Sequence, residues 1–509
     1  MKLKNNYYIS SFFWSTLSKL ISAIIGFISV PLLLGFYGKA EYGILSIATA
    51  CNGYMYLLDL GMNVGSVKFF SQWKSQGDWA RIYRVARTNI TFYIIISFIN
   101  ALVLICLGIW GRNLFSISDE QFMQLQLCLI IIAIFSGFSW GNTTFNQLLI
   151  ADKQIVFTMQ MQCLLGVLKG VLVALIFLLK LSIITYFFLL TLLMSCLIIP
   201  YIIRCKKYNL IDSLKPATYW KDFKIVLMFS LSIFALSIFQ MTAIQSRPII
   251  LSVFANQGAV TVADFKILEV IPTFILMICG TFSSIFLPKT SEMIANGDMA
   301  KINSFAYRGT AITSLIATVF CFPFILSGKE ILSAYVGSEH SYLTVWLSIW
   351  LFLVLFQIHS TPANALILAK GKTFPLVIVS GISCILSIVI NAVLAKYFNV
   401  GSAVIGYTVY ILINLVFNYV FYYDKYLHLK RMIIFKSFFY PAALGVCMMF
   451  LVYYFCENLY IYILNERISF IVIAIVKTLM WIILYCMMLY LAQIIKFDGK
   501  KVRTFVDNE

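Results

Sequence analysis

Eight charged side chains fall inside the long apolar stretches of this 509-residue chain: Lys19, Asp59, Lys169, Arg247, Asp264, Lys266, Glu269 and Lys477. A charge in such a setting is expensive, so it faces a cavity, a partner helix or a ligand. A fixed cation in low-dielectric surroundings holds an anion well, and a guanidinium can grip phosphate through two parallel hydrogen bonds. Other chemistries lack their residues. Three histidines (His340, His359, His428) and 12 cysteines without a C-x-x-C offer neither a metal centre nor a disulfide framework. No P-loop is present, so the chain carries no ATP-driven module, and no cofactor is expected.

The elements that must position these charges are membrane spans. Hydrophobic residues make up 61% of the chain, charged residues 11%, and the mean hydropathy is +0.93. That is too much apolar surface for a water-soluble enzyme or a disordered chain. The expected fold class is an all-α polytopic membrane protein of about 14 helices. The apolar runs place them at 12–34, 43–64, 88–110, 124–146, 157–179, 181–203, 223–250, 261–287, 307–327, 343–366, 374–395, 401–422, 436–456 and 468–495. The first is read as a true span, because it is too long for a cleaved signal peptide.

The net charge of +18 is orientation information rather than a nucleic-acid signature. With a cytoplasmic N-terminus, 27 Lys and Arg fall on inner segments and six on outer ones. Both termini are therefore expected in the cytoplasm, with the membrane lipids as a constant partner. The outer loops are short, which disfavours a multi-span glycosyltransferase or polysaccharide polymerase.

The sequence repeats itself. Gly77-Asp78-Trp79-Ala80-Arg81-Ile82 matches Gly297-Asp298-Met299-Ala300-Lys301-Ile302. Thr143, Asn146, Leu148 and Ala151 match Thr361, Asn364, Leu366 and Ala369, and Pro31-Leu32-Leu33-Leu34 matches Pro248-Ile249-Ile250-Leu251. The offsets agree within a few residues and the order is kept. Spans 1–6 (residues 1–210) and 7–12 (211–430) thus read as two six-helix lobes, related by a pseudo-twofold along the membrane normal. Residues 431–509 add two spans and a tail. On this reading Asp78 should coincide with Asp298, and Asn146 with Asn364.

This layout, with Val30-Pro31-Leu32-Leu33-Leu34, Tyr42-Gly43-Ile44-Leu45 and Leu58-Asp59-Leu60-Gly61 before Lys68, resembles the MATE-like multidrug/oligosaccharidyl-lipid/polysaccharide exporter superfamily. The N-terminal stretch is most similar to Wzx-type polysaccharide flippases. The resemblance implies translocation of an undecaprenyl-diphosphate-linked oligosaccharide across the bacterial inner membrane by alternating access, for O-antigen or lipopolysaccharide assembly. It also implies coupling to an H+ or Na+ gradient and a polysaccharide polymerase as partner. A cation-coupled multidrug exporter of the same fold is the alternative, but cationic drugs call for acids, whereas Lys19, Lys169, Arg247, Lys266 and Lys477 outnumber Asp59, Asp264 and Glu269.

Polar stripes at helical spacing surround several of these charges. Span 7 carries Ser230, Ser237, Gln240 and Arg247, span 5 Gln162, Gly166 and Lys169, and span 12 Gly406, Tyr410, Asn414 and Asn418. Arg247, Lys169, Lys266, Lys19, Gln240 and Asn414 are the candidate cavity residues. Asp59, Glu269 and His359 are candidate structural or coupling residues. Several have a plainer reading: Lys19 snorkelling to headgroups, Asp59 paired with Lys19 or at a helix end, Lys266 and Glu269 paired at i, i+3, His359 simply hydrogen-bonded. Pro248 after Arg247 is expected to bend span 7.

Overall fold

The computed structural model describes residues 2–295, 299–370, 374–456, 466–492, 495–498 and 501–504. Within these the chain is almost wholly helical, as apolar runs in lipid must be, since only a helix satisfies every backbone N–H and C=O inside its own segment. The helices are α1 (Lys2–Met55), α2 (Met62–Gln76), α3 (Trp79–Trp110), α4 (Asp119–Ala151), α5 (Ile155–Leu179), α6 (Ile183–Ser195), α7 (Ile198–Lys207), α8 (Trp220–Phe254) and α9 (Gly258–Ala295). They continue as α10 (Met299–Leu326), α11 (Gly328–Val336), α12 (Thr344–His359), α13 (Thr361–Lys370), α14 (Phe374–Phe398), α15 (Val400–Phe417), α16 (Arg431–Cys456) and α17 (Glu466–Leu491). A short antiparallel pair, β1 (Ile495–Asp498) with β2 (Lys501–Thr504), follows.

Eleven helical stretches among the described residues are long and apolar enough to cross a membrane. The first, Phe13–Asp59, covers nearly all of expected span 12–34 and most of 43–64, on either side of Gly38, whose φ of 83° interrupts α1. Expected spans 223–250 and 261–287 fall on α8 and α9, of 35 and 38 residues. At about 1.5 Å per residue both exceed the roughly 30 Å of a bilayer's hydrocarbon core. Bulky apolar side chains such as Phe98, Leu178, Phe374 and Phe450 lie more than 60% exposed, as lipid-facing positions do. The chain is a multi-pass membrane protein.

Sequence-encoded caps set several helix ends. Asp78 accepts from the Arg81 N–H at the start of α3, Ser118 and Gln121 form a reciprocal capping box on α4, and Ser182 caps α6. Asp298 and its neighbours Asn296 and Gly297 lie outside the described residues. Asn146 sits within unbroken α4, whereas Asn364 sits in α13 just after a break at Ser360, and it accepts from Asn418 at 3.4 Å. α8 stays helical through Arg247 and Pro248.

The contacts divide the chain into two compact units. One holds residues 1–263 with 395–399, the other 264–394 with 400–509. The first centres on an apolar cluster that includes Met62, Phe70, Trp73, Tyr93, Trp140 and Tyr201. The second has a cluster around Ile302, Leu366, Tyr422, Tyr423 and Ile434. There α15 ends in a nine-residue π-helix, Asn418–Tyr426, dense in tyrosine.

Candidate functional site

In the first unit α1 and α5 lie side by side at very short range. A Cβ on Gly166 would stand 2.9 Å from Ile21 Cγ2, and one on Gly170 would stand 2.7 Å from Ile25 Cδ1. Residue numbers rise together along this seam, so the two helices run in the same direction. One turn beyond Gly166, Lys169 flanks the seam, half-buried. It makes no hydrogen bond or ion pair among the described residues. Lys19 precedes Ser22 on α1 by one turn and is exposed. From the contact of Gly166 with Ile21 and Ser22, Lys19 lies about 8 Å short of Lys169 along the seam at 1.5 Å per residue. An unpaired ammonium at a helix centre costs on the order of 3 kcal/mol to insert, which an anionic ligand would offset.

The second half of the first membrane-length stretch is not a plain span. α1 ends at Met55, a 3-10 turn covers Tyr56–Asp59, and Leu60 (φ 52°) and Gly61 (φ 74°) turn left-handed before α2 begins. Gly61 is required twice over, by its φ and because a Cβ there would stand 2.6 Å from the Ser230 carbonyl oxygen of α8. Gly65 is pressed on the Ser230 hydroxyl, and Gly43 on the Ala259 carbonyl of α9. Leu60 bears a left-handed cost of about 1–2 kcal/mol.

At this break Asp59 is half-buried and doubly bonded. Its Oδ1 accepts from the Tyr93 hydroxyl at 2.7 Å and its Oδ2 from the Asn63 N–H at 3.1 Å. Lys19 is no part of this, so the expected Lys19–Asp59 pair is not formed: Asp59 faces α3 and the start of α2, while Lys19 is exposed. The network continues inward. Tyr93 accepts from Gln147 Nε2 at 2.8 Å, and Asn89 Nδ2 donates to Gln147 Oε1 at 3.1 Å and to Ser66 Oγ at 2.9 Å. Asn89, Gln147 and Ser66 are fully buried. Sequence reading missed Tyr93, Asn89, Gln147 and Ser66. The only signal was polar residues at i, i+4 on α3, with Gln147 in the Thr143–Ala151 repeat motif.

The other candidates are placed as follows. Arg247 on α8 is 4% exposed and its Nε donates to the Ile244 carbonyl at 3.2 Å, while Gln240, two turns earlier, is exposed. In the second unit Lys266 binds Glu269 at 2.7 Å, the i, i+3 pair, and Asp264 accepts from the Tyr342 hydroxyl at 2.6 Å. Asn414 joins α15 to α14 by donating to Ser383 Oγ and accepting from Ser380 Oγ. His359 is buried at the end of α12, with Nδ1 2.8 Å from the Phe356 carbonyl and Nε2 3.1 Å from the Tyr419 hydroxyl. Lys477 of α17 pairs with Glu330 of α11 at 2.6 Å.

The basic end of α2 and the basic start of α3 are tied to acids. Asp222 takes Arg81 and Arg84, Asp212 takes Arg87, and Asp152 takes Lys74. The segment between α7 and α8 is strapped across α3. Arg87 Nε donates to the Lys215 carbonyl, the Thr91 hydroxyl to the Ala217 carbonyl, and the Tyr219 N–H to the Thr88 hydroxyl.

No family model matches this chain, and no curated protein does. Solved structures do. The structure of the lipid II flippase MurJ in an inward closed conformation aligns over 96% of this chain and 99% of its own, with a TM-score of 0.69 and 14% identity. An inward-facing multidrug resistance MATE family transporter of the MOP superfamily aligns over 85% of this chain and 98% of its own (TM-score 0.61, 13% identity). An outward-facing structure of such a transporter gives 0.54 at 12% identity, over 87% and 96% of the two chains. The chain thus has the helical fold that a lipid II flippase and the multidrug transporters of the MOP superfamily share.

Proposed function

We propose that this protein is a flippase, without enzymatic chemistry, that carries an undecaprenyl-diphosphate-linked oligosaccharide from the cytoplasmic to the outer leaflet of a bacterial inner membrane. In this reading residues 1–210 and 211–430 are the lobes that alternate access, both termini are cytoplasmic, and the product feeds surface polysaccharide such as O-antigen, with a polymerase downstream. The observation that carries it is Lys169, a half-buried cation in a spanning helix that makes no ion pair among the described residues. A diphosphate headgroup supplies the missing charge. At an effective dielectric of about 20, one unit charge about 4 Å away is worth roughly 4 kcal/mol, enough to offset the insertion cost. Lys19 lies earlier along the same seam, and Arg247 offers a guanidinium in the same unit. Stepping between such sites keeps each grip weak enough for release. The likeness to a lipid II flippase supports a lipid-linked substrate, and the excess of cations over acids within the spans favours it over a drug exporter.

Complementation of a flippase-deleted strain tests this. Lys169→Ala and Arg247→Ala should each abolish surface polysaccharide at normal protein levels, and Arg247→Lys should restore part of it. Normal export by both Ala variants would sink the cationic-cavity reading.

A further inference from the structure

A second candidate site lies in the first unit, at the end of α3 away from the strap. The turn between α3 and α4 (residues 111–118) and the turn between α8 and α9 (residues 255–257) enclose an open cleft of about 550 Å³. From Thr88, under the strap, to Trp110 the axis of α3 runs about 33 Å at 1.5 Å per residue, the depth of a bilayer core. With cytoplasmic termini the cleft therefore opens on the outer face. We propose that this cleft binds a saccharide through its hydroxyls, and that the saccharide is the sugar chain of the lipid-linked substrate. The site stands on its own geometry, and only the identity of the sugar rests on the flippase reading.

The two turns are stitched together through one residue. The Ser116 N–H donates to the Ser252 carbonyl at 2.8 Å, its carbonyl accepts from the Gly258 N–H at 2.8 Å, and its hydroxyl donates to the Val253 carbonyl at 2.7 Å. Gly258 permits this approach, because a Cβ there would stand 2.5 Å from the Ser252 oxygen and 2.9 Å from the Ser116 oxygen. The cleft is thus formed before any ligand arrives, and its size falls within the roughly 300–1,000 Å³ of ligand pockets.

Its lining selects the ligand. Buried Ile117 and Ala259 give an apolar floor, and Arg112, Gln121, Asn256 and Gln257 give a polar rim. An anion is disfavoured. Arg112 is bound to Asp119, Glu120 lies in the same first turn of α4, and that helix end is already closed by the Ser118–Gln121 capping box. The remaining groups are amides, each with a donor end and an acceptor end, as a sugar hydroxyl needs. Gln121 Oε1 accepts from the Ser118 N–H at 3.1 Å, which leaves Nε2 as a donor. Asn256 Nδ2 donates to the Lys396 carbonyl at 3.1 Å, which leaves Oδ1 as an acceptor. Gln257 keeps both ends, with no side-chain partner among the described residues. The two tied amides are held in one orientation, which lowers the cost of binding. The apolar floor suits the C–H face of a sugar ring. A hold of this kind on the outer side opposes return of the translocated head group.

The test is saturation-transfer difference NMR on the purified full chain in lipid nanodiscs. The probe is the oligosaccharide released from lipid and phosphate by mild acid hydrolysis of the lipid-linked pool of the flippase-deleted strain. Transfer from protein to sugar protons should be seen with millimolar probe. Gln257→Ala and Asn256→Ala each remove a neutral hydrogen bond, so each should weaken binding about three- to tenfold. Both side chains are exposed, and Gln257 holds nothing else among the described residues, so its variant should fold as the parent does. Absence of transfer, or unchanged affinity in both variants, overturns the proposal. Displacement of the sugar by inorganic pyrophosphate would make this an anion site on Arg112 and overturns it too. Equal binding of maltose overturns the assignment to the substrate's own sugar. The readout needs no transport. A protein that complements without binding the sugar loses this site alone, whereas one that binds it and fails to complement keeps the site and loses the flippase reading.

Discussion

Lys477 and Glu330 form a buried ion pair that joins α17 to α11, with side chains 9% and 15% exposed and 2.6 Å between charged atoms. The sequence reading places Lys477 outside the repeat, and the pair gives it a structural role. At an effective dielectric of about 20 the gross attraction at this distance is roughly 6 kcal/mol, most of it offset by desolvation of both ions. Breaking the pair on one side leaves the other charge buried and alone. Lys477→Met and Glu330→Leu should therefore each destabilise by about 3–5 kcal/mol, while the double variant should lose far less than the sum. Neighbouring packing supports that asymmetry, because Trp481 stacks on Tyr485 at 4.6 Å and on Phe322 at 5.8 Å and holds the helices whichever residues replace the pair. The assay is reversible unfolding in mixed micelles on all four proteins, followed by the same complementation at matched protein levels, where the double variant should still export. Additive losses would show that the two charges do not stabilise each other. Loss of export by a well-folded double variant would show that Lys477 serves transport.

Gly61→Ala meets both a positive φ and the Ser230 carbonyl, and should lower stability by about 2–4 kcal/mol in the same unfolding assay. Asn414→Leu breaks two side-chain bonds between α14 and α15. If Asn414 is helix glue, the variant should lose about 1–2 kcal/mol and still export at matched levels, whereas loss of export without loss of stability would return it to the cavity lining. Asp78→Ala should cost about 1 kcal/mol through the lost cap of α3, seen as faster hydrogen exchange in its first turn.

The spans were legible because lipid demands one thing, about 20 apolar residues, and the chain supplies it repeatedly. The gap between spans 1 and 2, where Gly38 lies, was legible for the same reason. The Lys266–Glu269 pair was legible as an i, i+3 spacing. The breaks were not. Hydropathy is blind to φ, so Leu60 reads as one more apolar residue in span 2. Nor could sequence pair groups across helices. Tyr93, Asn89 and Gln147 are single polar residues on helices that read as apolar, and only the facing of α3 against α4 makes them a chain. The same limit misplaced Asp59 toward Lys19, which equal depth suggested; Asp59 instead bonds Tyr93 and Asn63, and Lys19 is exposed.

The strap between α7 and α8 has a consequence for how the protein is made. Its bonds to α3 join residues 126 to 131 positions apart in the chain. Until residues 212–219 leave the ribosome, Arg87, Thr88 and Thr91 have only local or solvent partners, and the first turns of α3 stay unfinished. These are contacts of high sequence separation, which form late because loop closure must come first. A pause in translation once Tyr219 has cleared the ribosome would let that clasp shut before the rest of the chain arrives to compete for it.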